Sequence, residues 1–203
     1  MALLYDQFGL EIPARTRPET REVAVATLRD RWSGYPSHGL TPQRLAQIFR
    51  EADQGDIRRQ AELFEEMEEK DPHIFSQFQI RKLAVLGLPF EVLPAGEDAR
   101  AKRAAEFCRE VLEALPAFEE NILDMLDAIA KGHSILELIW NVSGREARIV
   151  DMRWIHPKRI TFWNSMTPRI LTDEAPVRGV DPPPFKCVYH RVRARSGYDT
   201  RAG

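Results

Sequence analysis

The residues best suited to chemistry are a histidine and a glutamate four apart, His133 and Glu137, and a basic segment around Lys186, Arg191, Arg193 and Arg195. A His–Glu pair at this spacing suits a metal ion when both sit on one face of a helix. Their neighbours argue for a strand instead. Ile135, Leu136, Leu138, Ile139, Trp140 and Val142 are the branched and aromatic types that fill a buried pleated surface. On a strand, positions four apart lie about 13 Å from each other, too far for one ion. No HExxH occurs, His73, His133, His156 and His190 are scattered, and no metal or cofactor is expected. Ser134 in GHSIL lacks the second glycine of a G-x-S-x-G elbow. No glycine pattern matches a phosphate-binding loop or a dinucleotide turn, and no carboxylate pair is singled out for acid–base work. The expectation is a protein without catalysis of its own. A hydrolase using His133 or Glu137 is the enzymatic alternative.

Two charged features suit binding instead. In an extended chain Arg191, Arg193 and Arg195 alternate with Val192 and Ala194, which places three guanidinium groups on one face. Such a row can contact phosphates without reading base sequence, or it can pair with acidic residues of this chain. The second feature is a helix expected from Ile57 to Lys70. It has Ile57, Ala61, Phe64 and Met67 on one stripe and Glu62, Glu65, Glu66, Glu68 and Glu69 on the other side. Glu65, Glu66, Glu68 and Glu69 offer either a docking face for a basic partner, as in an adaptor module, or a plain solvated surface. Glu137, set among apolar neighbours, must face solvent, meet a cation, or lie at a subunit contact.

The elements that hold these residues follow from punctuation and periodicity. With 203 residues, 43% apolar and 30% charged, the chain is long enough for one cored domain with an appendage. A net charge of −2 gives no overall drive toward nucleic acid or membrane. No apolar run approaches the roughly 18–20 residues of a membrane span. The N-terminal residues do not read as a secretory leader. Cys108 and Cys187, without CxxC spacing, read as reduced thiols of a cytosolic protein.

Residues 1–40 are irregular, with room for a short helix only from Glu19 to Arg31. Tyr5, Phe8, Trp32 and Tyr35 either dock on a neighbouring surface or cover this chain's own core. Thr41-Pro42 starts a helix, Asp56 is placed to cap the next, and Asp71-Pro72 starts a third. That third helix is apolar nearly all round and is expected to be deeply packed. Pro89 to Leu93 reads as a short strand, Asp98 to Leu115 and Phe118 to Lys131 as two further helices, and Gly132 as a helix-ending glycine. A hairpin across Ser143-Gly144 follows, then strands near Ile160–Trp163, Arg169–Leu171 and Phe185–Val192. The class is α+β: a helical N-terminal half, from residue 41, packed on a small antiparallel sheet.

The order of these pieces carries a resemblance. LTPQRLAQIFREADQGDIRRQAELFEEMEEKDPHIFSQFQIRKLAVLGLPFEVLP, then GHSILELIW, WIHPKRITF and YHRVRARSGYDTRAG resemble the N-terminal part of Mu-like phage portal proteins, from about Leu40 onward. The resemblance implies a wing-like region of a ring subunit, usually one of twelve, at a phage head vertex. Its implied partners are other copies, capsid and scaffold proteins, terminase, and double-stranded DNA bound without sequence specificity, with no membrane. Its implied place is the virion, and the bacterial cytoplasm during assembly. Family chains run longer, so residues 41–203 are expected to stop before the segments of the stem, clip and crown, as a truncated prophage product would.

Overall fold

A computed structural model describes residues 18–24, 36–143, 146–162 and 167–192 of the chain. Helix α1 spans Pro42–Asp53, with the Thr41 hydroxyl accepting from the Arg44 amide at 3.2 Å. Helix α2 is Arg58–Lys70. Its cap position is Ile57, and Asp56, one residue ahead, accepts the Arg58 amide at 3.3 Å and the Arg58 guanidinium at 2.8 and 2.9 Å. Helix α3 is Pro72–Leu86, capped by Asp71, which accepts from the His73 and Ile74 amides. Helix α4 is Ala99–Glu113, capped in the same way by Asp98. The single helix expected over Phe118–Lys131 is broken into α5, Phe118–Met125, and α6, Ala128–Lys131. The break sets Asp127 where its carboxylate accepts from both Lys82 and Lys131. Gly132, at φ 83°, ends α6 as expected.

The strands are β1 (His133–Ser143), β2 (Glu146–Ile155), β3 (Ile160–Thr161), β4 (Arg169–Ile170) and β5 (Cys187–Arg191). β1 is central in a three-stranded antiparallel sheet of order β2-β1-β5. The hairpin register slips between Ile139 and Trp140, a bulge that twists the outer half of the ribbon. β3 and β4 form a separate two-stranded ladder, and Val180 bridges to Ile170 beside it. Gly179 is required there: at φ +61° a Cβ would sit 2.9 Å from the Ile170 carbonyl oxygen.

Ala52 and Ile57, at the α1–α2 turn, meet Ile135, Ile155, Ile160, Phe162 and Ile170 in the core, and Val23, Ala24, Cys187 and Tyr189 pack on its edge. Between the hairpin and β3 lies a tight 3-10 turn, Pro157–Arg159. His156 begins it by accepting the Lys158 amide on Nδ1 at 3.1 Å. That leaves Nε2 to carry the proton toward Glu65 of α2, 2.5 Å away.

Over residues 18–24 the arm is irregular; the rest of the Glu19–Arg31 stretch, and Tyr5, Phe8, Trp32 and Tyr35, lie outside the described residues. Two other expectations fail. Pro89 to Leu93 forms no strand but runs beside α4, where Arg109 donates to the Val92 carbonyl at 3.0 Å. Helix α3 is not deeply packed.

Candidate interaction site

Helix α3 is inverted relative to its composition. Its one buried side chain is Lys82, whereas Phe75, Ile80 and Leu83 are 48, 61 and 54% exposed. The apolar exposure continues past the helix through Leu88, Phe90 and Leu93. The charged side explains the orientation. Lys82 reaches Asp127 at 3.1 Å and Glu68 at 3.7 Å, and Asp127 also takes Lys131 at 2.7 Å. Lys131 in turn stands over the Trp154 ring, 5.5 Å from its centroid. A buried lysine must be paired, and satisfying Lys82 turns the apolar side of α3 outward. Isolated exposed apolar residues are ordinary, but a run of this size marks a contact surface.

The four glutamates of α2 do not share one open face. Glu66 is 1% exposed and is taken up by the Ser37 amide at 2.8 Å, the Ser37 hydroxyl and Lys70 at 2.5 Å. Burial alone would raise its pKa, but these hydrogen bonds outweigh that and hold it below the ordinary carboxylate value. Glu68 is buried against Lys82. Glu65 is likewise held low, the burial cost being outweighed by the hydrogen bond from His156 and by the Lys131 charge. Only Glu69 is exposed, while Met67, expected on the packed stripe, is exposed in its place and Leu63 is buried. Glu65, Glu68, Glu69, Phe75, Asp124 and Trp154 are among the residues lining a cleft of about 550 Å³. The Asp124 carboxyl in it is pushed up by burial and by the neighbouring Asp127 charge.

Of the three options for Glu137, the structure takes the cation. Its side chain is 1% exposed, and Lys186, at 0%, lies 3.3 Å from it. The same carboxylate accepts the Val23 and Ala24 amides at 2.5 and 2.8 Å, and Lys186 donates to the Glu19 carbonyl at 3.1 Å. Lys186 is thereby withdrawn from the basic segment. His133 is buried edge-on to Phe162, with centroids 5.4 Å apart, and so serves the core while Glu137 holds the arm. Arg191, exposed at the end of β5, stacks over Tyr189 at 5.6 Å. Arg193 and Arg195 lie outside the described residues. Among the described residues, no group of three or more His, Cys, Asp or Glu is placed to hold a metal. No described helix is long and apolar enough to cross a membrane. Both cysteines are free thiols.

Sequence reasoning could flag Glu137 but not Lys186 as its partner, because β5 joins β1 from about fifty residues downstream. The family model for the portal protein of Mu bacteriophage matches residues 61–203. The chain belongs to this Mu portal family. The portal protein of Escherichia phage Mu is 33% identical over 199 residues, covering 98% of this chain and 39% of that protein. The Mu-like prophage FluMu protein gp29 of Haemophilus influenzae is 34% identical over 204 residues, covering 97% of this chain and 38% of that protein. The chain spans about two-fifths of the length of these relatives.

Proposed function

We propose that this chain is the wing-like part of a portal subunit, one member of a ring at a phage head vertex. DNA would be packaged and ejected through the ring, and terminase and the tail connector would dock on it. The observation that carries this reading is the alignment of nearly the whole chain with the phage Mu portal protein. The exposed apolar run from Phe75 to Leu93 supports it, since ring contacts between unlike patches bury such surface. Capsid and scaffold proteins are the other neighbours in this reading, in the bacterial cytoplasm during assembly and then in the virion. Arg191, Arg193 and Arg195 would meet DNA through phosphates alone. The adaptor alternative loses support, because Glu66 and Glu68 are occupied within the chain.

The test is negative-stain microscopy with light-scattering mass on this chain and on a version lengthened to match its relatives, each with and without Ile80→Lys and Leu83→Lys. Rings are expected from the lengthened form and lost in the double variant. Because both side chains are exposed, each lysine should change the stability of the single chain by no more than about 0.5 kcal/mol. A lengthened form that stays monomeric refutes the reading. Rings unaffected by the two lysines remove α3 from the contact.

A further inference from the structure

The clasp around Glu137 holds residues 18–24 in an unusual manner. No hydrogen bond joins the main chain of this strap to the main chain of any other described residue. The strap is instead gripped by side chains that read its backbone. Glu137 takes the Val23 and Ala24 amides, Lys186 takes the Glu19 carbonyl, and Arg159 takes the Ala24 carbonyl at 3.1 Å. One ion pair, Glu22 to Arg153 at 2.6 Å, lies at its outer edge, and Val23 and Ala24 pack on the core. The gripping side chains come from β1, from the turn before β3 and from the residue just ahead of β5, so they form a slot whose shape does not depend on the strap being covalently attached. The slot also requires an occupant. Without one, the Glu137 carboxylate loses both amide donors and Lys186 loses the Glu19 carbonyl.

We propose that this slot is a docking site for a short peptide segment and that it takes the 18–24 strap of a second copy, so that neighbouring copies exchange straps. Exchange of an identical element between protomers creates no new kind of contact, which makes it a low-cost route to association. The occupant is specified by what the slot offers. It needs two consecutive amides for a carboxylate, carbonyls for a lysine and an arginine, small apolar side chains at 23 and 24, and an acid at 22 for Arg153. Residues 18–24 of another copy meet every requirement. The inference needs two copies in contact but no ring, so its failure leaves the portal reading standing.

The test uses the whole chain with the exposed Cys108 replaced by serine. One preparation carries Glu22→Cys and a second, of different tagged mass, carries Arg153→Cys. The two are co-expressed and treated with a short bis-maleimide cross-linker, with a chain carrying both substitutions as the measure of self-docking. A covalent heterodimer joined through positions 22 and 153 is expected. Adding Val23→Pro to the donor chain, which removes an amide that Glu137 binds but leaves the receiving slot unaltered, should lower its yield about tenfold. Cross-linking confined within the doubly substituted chain overturns the proposal. So does a heterodimer whose yield is indifferent to Val23→Pro, since that would report collision and not docking.

Discussion

Replacing Lys186 with methionine tests whether the clasp is a strong energetic feature of the fold. The substitution preserves length and apolar stem but leaves Glu137, 1% exposed, as an unpaired charge. Breaking a buried pair by removing one partner costs roughly 3–5 kcal/mol. The two amides of Val23 and Ala24 remain on the carboxylate, so the lower end, about 3 kcal/mol, is expected. For a chain of this size that lowers Tm by about 6–12 °C. Glu137→Leu should be worse, because it strands a buried ammonium and two amides at once. The double variant Glu137→Leu/Lys186→Met removes both charges and orphans the two amides and the Glu19 carbonyl, so its loss should be about 3 kcal/mol, well below the sum of the single variants. Urea titration followed by circular dichroism measures all three against the parent. A Lys186→Met loss under about 1 kcal/mol, or additive single effects, would refute the claim that this pair is desolvated and coupled.

Two further outcomes follow from the titrating groups. The Asp124 carboxyl has a folded-state pKa above its ordinary value, raised by burial and by Asp127, so the folded chain binds that proton more tightly than the unfolded chain and carries a penalty at pH values above the shift. Asp124→Asn should therefore raise Tm at pH 7, with the gain fading as acid protonates Asp124 in the parent; no gain at pH 7 contradicts this. Burial, aided by the Glu137 charge, pushes the Cys187 thiol up to about 12, while Cys108 is exposed. An iodoacetamide pulse at pH 8 should alkylate Cys108 alone in the folded chain and both thiols in urea, as read by intact mass. Equal labelling of both thiols without urea would show that Cys187 is open to solvent.

Local chemistry was legible and distant pairing was not. Thr41, Asp71, Asp98 and Gly132 mark helix ends through contacts within a few residues, and the structure places them so. The hairpin was legible for the same reason, since its two strands are adjacent in the chain. Helix α3 was misread because apolar periodicity says which side chains are oily and not which neighbour covers them. Its direction is set by Lys82 meeting Asp127, forty-five residues later. The acidic run of α2 was misread in the same way, since Ser37, Lys82 and His156 reach Glu66, Glu68 and Glu65 from other elements. Glu137 was recognisable as a residue in need of a partner, and the partner, though one of three stated options in kind, was invisible in identity.

The clasp also sets an order of events during synthesis. The Glu19 carbonyl and the lysine that holds it are 167 residues apart, with Glu137 between them in the chain. At roughly 5–20 residues per second a ribosome takes about 8–33 s to make that span. Throughout this interval Val23 and Ala24 exist without the slot that will receive them, and their apolar side chains and free amides are open to any other surface nearby. The segment made early is secured late. On a polysome, where nascent chains of the same protein lie side by side, a strap waiting that long has its neighbour's slot within reach as well as its own.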